Sequence, residues 1–469
     1  MMSVRQFVLL YKTLVYAFTT GILVMLVAFF ATGVLWTASK AWFDRYMKPL
    51  FLVSMSMVFV PSYVHALSWM DILYNMGITG QVASILVMVM SLLPLGIMMA
   101  LFGMMLAEDS MVEMGQLYRK DLGVLVKILL PMAKPGLLVG FAMSFIWTIQ
   151  DYSIPSLFFV NTYALEIFSK YSSTNQPFLP IIISLPMMFI TLFVLWAFIL
   201  QNKTIISGLR KGLTKRAMPL SLPFWMIVLQ YIALSMVLVQ IVVPLLSLLI
   251  KVQTWGNLWT SFYLAYDEVI FTIILGVMTA SLSVLLATIV TSKVVLMGKK
   301  IKTIIWILLI LPLAIPAPTV GIGLNAIFSR VGMDFIYGTL WMPILANLIR
   351  FSSFACLVMT VQHMRLDQSM LESAKIFQKH WFHGFFRVYV PMVFPGLLAS
   401  FLLVFVLTIG ELSATLIVVP AGTSTMTMRI YNYLHYGSSH LVAGLCLVIL
   451  GIALVTGFMV VHILTKSEV

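Results

Sequence analysis

Apolar runs of 20 or more residues recur from one end of the chain to the other, separated by short stretches carrying Lys, Arg, Pro and Gly. A helix rises about 1.5 Å per residue, so each run can cross a hydrocarbon layer about 30 Å thick. Eleven spans are predicted, near 13–36, 49–69, 79–105, 136–158, 180–200, 222–250, 269–291, 303–328, 339–362, 395–419 and 441–464. The expected fold class is an all-α polytopic membrane protein.

Composition sharpens that reading. Of 469 residues, 62% are hydrophobic and 9% charged, against roughly a quarter charged in a soluble domain. A cytosolic enzyme, a nucleic-acid-binding domain and a disordered chain are excluded. The net charge of +13 invites a nucleic-acid partner, but the basic residues sit in the short loops between apolar runs. With the loops alternating between two sides, 21 of the 28 Lys and Arg residues fall on one side and 6 on the other, leaving Arg350 inside a span. By the positive-inside rule the richer side is cytoplasmic, which predicts a bacterial-type inner-membrane protein with a cytoplasmic C-terminus. The odd number of spans puts Arg5 and Lys12 outside, against their own preference. Cys356 and Cys446 lie within apolar runs and read as small hydrophobes. The first apolar run is too long for the core of a cleavable signal peptide.

The chain repeats itself. Segment 131–153, PMAKPGLLVGFAMSFIWTIQDYS, lies over 391–413, PMVFPGLLASFLLVFVLTIGELS, at an offset of 260 with 11 of 23 positions identical. Asp151 falls on Glu411, and Thr13 and Thr20 fall on Thr272 and Thr279 at an offset of 259. The expected organisation is a first half over 1–200 with about five spans, a basic linker over 201–221, and a second half over 222–469 with about six. The span at 222–250 is then an additional leading helix. Halves of the same orientation imply a pseudo-twofold axis along the membrane normal, with a solute path near it.

Before its Pro-x-x-x-Pro-Gly, each half carries a polar, helix-prone segment on the cytoplasmic side. They read EMGQLYRKDLGVLVKILLPMAKPG from Glu113 and ESAKIFQKHWFHGFFRVYVPMVFPG from Glu372. These segments resemble the Glu-Ala-Ala loop of the permeases of binding-protein-dependent ABC importers. The resemblance assigns coupling to an ATPase to Glu113, Met114 and Gly115 in the first copy and to Glu372, Ser373 and Ala374 in the second. The first copy has Met-Gly for Ala-Ala, and the second has Gln378 where the family has Gly. Fused halves, the run Ile409-Gly410-Glu411-Leu412-Ser413-Ala414-Thr415 and the proline-rich 311–318 look most like the ferric-iron and thiamine branch. The resemblance implies two intertwined helix bundles, P-loop ATPase subunits (two copies) on the inside and a solute-binding protein on the outside. It further implies a small solute, ferric iron first and thiamine next.

Charges at bilayer depth cost at least about 2.5–3.5 kcal/mol, so Asp151, Glu411 and Arg350 need reasons. Either the acids line the translocation path, or they pair with Arg350 or cap a break in the backbone. Thr148, Ser153, Thr408 and Ser413 are candidates for polarising the path, although such residues also bond to their own helix. His380 and His383 are too few for a metal site, and an aromatic interfacial belt accounts for Tyr431, Tyr433, His435, Tyr436 and His440. The prolines at 312, 316 and 318 predict a broken span beside a cavity or buried in protein. No P-loop and no catalytic constellation occurs, so ATP is expected on a separate chain and no cofactor or metal on this one. The rival expectation is an ion-coupled secondary transporter working through Asp151 and Glu411.

Overall fold

The computed structural model describes residues 3–107, 109–174, 176–200, 219–294, 297–329, 333, 335–366, 369–370, 372–373, 380–436 and 439–466. Among these residues the chain is helical throughout, without a strand. Nine helices are long and apolar enough to cross a membrane, or eleven if each of two sharply bent pairs counts as one span.

Two compact units form, one from Met1–Leu264 with Tyr433–Leu454, the other from Ala265–Asn432 with Val455–Val469. The first unit opens with α1 (Val4–Thr37), the bent pair α2 (Phe43–Phe59) and α3 (Ser62–Asn75), and α4 (Gly80–Met105). There follow α5 (Asp109–Tyr118), α6 (Asp121–Gln150), the short α7 (Ser153–Leu157), the amphipathic α8 (Tyr163–Thr174), α9 (Phe178–Ala197), α10 (Phe224–Val252) and α11 (Trp255–Leu264). The second unit repeats the order with α12 (Tyr266–Val294), the bent pair α13 (Lys300–Ala314) and α14 (Ala317–Phe328), α15 (Trp341–Arg365) and α16 (Phe382–Ile409). It continues with α17 (Thr415–Val418), α18 (Met426–Tyr436) and α19 (Ser439–Lys466), the last of which supplies residues to both units.

Within the first unit α1, α4 and α6 pack on one another, and within the second α12, α15 and α16 do the same. Small residues allow the close approach. A Cβ on Gly136 of α6 would stand 2.5 Å from the Gly103 Cα of α4. Without a hydrophobic drive between helices in lipid, such backbone proximity is what holds them.

Each bent pair turns at an extended residue followed by proline, Val60-Pro61 and Ile315-Pro316, through 106° and 100°. Proline disfavours helical geometry in the residue before it, so the chain must turn there. A repeated π turn was not foreseen. Leu125–Leu129 in α6 and Phe385–Tyr389 in α16 stand at the same 260-residue offset as the sequence repeat.

The bounds of two spans need correction. The fourth and tenth spans, expected over 136–158 and 395–419, end at Gln150 and Ile409 and reach further back, to Asp121 and Phe382. The compact units also divide the chain differently from the sequence halves at 200 and 222. Helix α10, counted with the second half, packs on α1, α2 and α3 of the first unit. Two buried glutamines fix it there: Thr37 donates to Gln230 Oε1 at 3.2 Å and Ser54 to Gln240 Oε1 at 3.0 Å.

Candidate functional site

The segment before the first π turn is a short helix with two unlike faces. Val112 and Gly115 of α5 are buried, and Gly115 lies against Ile128 of the π turn, where a Cβ would crowd the isoleucine Cδ1. The opposite face presents Met111, Met114, Leu117 and Tyr118, the last two at 80% and 87% exposure, beside the exposed Glu113. An apolar stripe on a polar, charged helix outside the spans is the composition of a docking surface. The last residues of the expected linker are held by the first unit: Leu220 N–H donates to the Trp36 carbonyl at 2.7 Å, and Ser221 N–H donates to Asp121 at 2.5 Å. Of the second copy, Glu372 and Ser373 are helical and exposed. Ala374 lies outside the described residues, as do Gln378 and the linker residues up to 218.

Asp151 and Glu411 stand at equivalent places, just beyond the ends of α6 and α16, and do the same local work. Asp151 ends α6, and its Oδ1 accepts from Ser153 N–H and Ser153 Oγ, each at 2.6 Å, and from Ile154 N–H at 3.3 Å. Glu411 follows α16 and accepts from Ala414 N–H and Thr415 N–H, both at 2.8 Å, and from the Thr415 hydroxyl. Each carboxylate thus caps the short helix that follows it, satisfying N–H groups that have no intrahelical partner. The difference is Arg350. It forms an ion pair with Glu411, while no ion pair joins Asp151 to a described lysine or arginine.

The hydroxyl candidates turn inward on their own backbone. Thr148 donates to the Ser144 carbonyl at 2.7 Å and Thr408 to the Val404 carbonyl at 2.8 Å. Ser153 is engaged with Asp151, and Ser413 sits half-buried in the turn before α17. No group of three or more metal-ligating side chains occurs among the described residues.

Two features escaped the sequence reading. Thr13 accepts from Tyr163 N–H and Thr272 from Met426 N–H, both at 2.9 Å, so each first core helix holds the amphipathic helix of its own unit. Beside them lie ion pairs of reversed sense, Arg5 with Glu166 and Glu268 with Arg429. On α8, burial pushes the Tyr163 phenol up to about 12, with the Glu166 charge adding to the rise. Its hydroxyl donates to the Ile183 carbonyl at 2.7 Å. The second feature is His65 on α3, fully buried beside the Met57 backbone. The threonine repeat was legible as a pattern, although its use was not; His65 left no signal beyond an imidazole among apolar residues.

Residues 273–466 match the family described as binding-protein-dependent transport system inner membrane component. A Salmonella typhimurium protein named as a 2-aminoethylphosphonate transport system permease is 27% identical over 192 residues, 40% of this chain and 71% of that protein. A protein of Escherichia coli K12 named as a putrescine transport system permease is 24% identical over 163 residues, 34% of this chain and 57% of that protein. The second half is therefore similar in sequence to inner-membrane permease components of binding-protein-dependent transport systems. The ferric-iron and thiamine expectation is corrected: neither relative is named for iron or thiamine. The short motifs that suggested that branch lie at the cap of α17 and at the bend between α13 and α14, where they shape backbone.

Proposed function

We propose that the whole chain is a fused two-domain transmembrane subunit of an ABC importer, working with P-loop ATPase subunits inside and a solute-binding protein outside. The observation that carries this reading is the doubling of a polar segment at an offset of 259, and of a π turn with the long core helix that contains it at 260, the second copy lying within the matched residues. The docking face of α5 is the grip for an ATPase, and movement passes through the π turns into α6 and α16. The solute is small and carries an aliphatic ammonium, the group that 2-aminoethylphosphonate and putrescine share. The secondary-transporter reading loses ground because Glu411 is committed to Arg350 and to two backbone N–H groups.

The test is purification of the tagged chain in mild detergent with identification of co-eluting proteins. A P-loop ATPase in stoichiometric amount, reduced at least about tenfold by Glu113→Arg and by Glu372→Arg, is expected. A chain that elutes alone and moves solute on a proton or sodium gradient overturns the proposal.

A further inference from the structure

The offset of 260 aligns more than the conserved motifs. Applied to α4 and α15, it lays buried Ser84, Val87, Ser91, Leu93, Gly96 and Gly103 over buried Ile344, Asn347, Phe351, Ser353, Cys356 and His363. In that register Arg350 falls on Met90, a buried residue of α4. The second unit therefore closes its carboxylate with a guanidinium, while the first has an uncharged residue, Met90, at the position this offset gives.

Further differences involve Tyr16, Ser84 and His65 of the first unit. Tyr16 and Ser84 are buried and joined at 2.9 Å between their oxygens, and the Tyr16 hydroxyl is within electrostatic reach of Asp151. Their counterparts, at offsets of 259 and 260, are Leu275 and Ile344. Helix α7, which Asp151 caps, packs on α3, the helix that carries the buried His65. Counted from the proline at each bend, four residues past Pro61 and Pro316, His65 corresponds to Val320. The first unit has a carboxylate without an ion pair to a described lysine or arginine where the second has an ion pair.

We infer that Asp151 is the carboxylate that receives the ammonium of the transported solute, and that this recognition belongs to the first unit alone. The inference rests on the importer reading and deepens it. One oxygen of Asp151 holds α7 while the charge of the group is left for a cation. An ammonium supplies in transit what Arg350 supplies permanently to Glu411. Such a site is occupied only while solute passes, as transport requires, because a resident guanidinium cannot leave.

Two substitutions in the complete transporter separate charge from capping. Asp151→Asn keeps an oxygen to accept from Ser153 and Ile154 but removes the charge. Met90→Arg leaves the cap untouched and places a guanidinium in the register of Arg350. Uptake of radiolabelled putrescine and 2-aminoethylphosphonate is measured in cells, with ATPase co-elution followed in parallel. Both variants are expected to raise the KM for whichever solute the wild type carries, by about tenfold or more, a typical loss for a charge-assisted contact. Co-elution of the ATPase should remain at the wild-type level, and Asp151→Glu should recover part of the uptake. Unchanged KM in either Asp151→Asn or Met90→Arg overturns the inference. So does a wild type that retains its ATPase yet takes up neither compound. A wild type without an ATPase overturns the importer reading itself.

Discussion

Glu411 shows what a charge needs in order to remain at membrane depth. Its side chain is 2% exposed and is met by two backbone N–H groups, a threonine hydroxyl and the Arg350 guanidinium, which itself stands 5.0 Å from the Phe351 ring centre. Removing one member of such a pair leaves an uncompensated buried charge, which costs about 3–5 kcal/mol. Arg350→Met is therefore expected to lower the thermal unfolding midpoint of the purified protein markedly, and adding Glu411→Gln should recover much of the loss. A single variant as stable as the wild type would show that the pair holds nothing. The three intramembrane charges were legible because a charge inside an apolar run always needs a reason. Which acid Arg350 would choose was not, since pairing depends on how α15 is registered against α16, 61 residues apart along the chain. The threonines were ambiguous for a related reason: a hydroxyl four residues beyond a carbonyl can bond back to its own helix or face outward, and spacing alone permits both.

At the scale of elements, two kinds of boundary were hidden and one was plain. The prolines at 312, 316 and 318 announce a bend, whereas Pro61 stands alone in an otherwise unbroken apolar run and its 106° turn passed unnoticed. The ends of α6 and α16 were hidden as well, because the capped helices α7 and α17 remain apolar after the break. A π turn adds one residue to a turn without altering its apolar character, so hydropathy does not register it. Close helix contact is the element-level property open to test. A methyl group on Gly136 would meet the Gly103 Cα, the Gly103 nitrogen and the Met99 carbonyl, all backbone and all within 2.7 Å. Backbone cannot rotate aside, so Gly136→Ala must push α6 off α4, at about 1–3 kcal/mol for overpacking. Gly323→Ala, with nothing within 4 Å, serves as the comparison. Thermal unfolding should show a clear drop for the first and little change for the second. Equal behaviour would mean that α4 and α6 can separate at no cost, contrary to the packing described here.

At the scale of the whole molecule, the halves read as parallel from the repeat and as oriented from the 21-to-6 division of basic residues. These are separate propositions, and single cysteines distinguish them. The native thiols, Cys356 and Cys446, are fully buried, so the background reaction should be low. Exposed partners are available in both units: Ser173 at the end of α8 and Thr423 before α18, and Arg119 and His380, each just before the helical stretch leading to a π turn. Parallel halves place Ser173→Cys and Thr423→Cys on one face of the membrane and Arg119→Cys and His380→Cys on the other. A membrane-impermeant maleimide should label the first two in intact spheroplasts and the second two only after lysis. Labelling of Ser173→Cys without Thr423→Cys would make the halves antiparallel and remove the pseudo-twofold axis along the normal. Labelling of Arg119→Cys and His380→Cys from outside would keep the halves parallel but invert the chain. That result would detach the docking face of α5 from any cytoplasmic ATPase, because a motor can act only on the side where ATP is found.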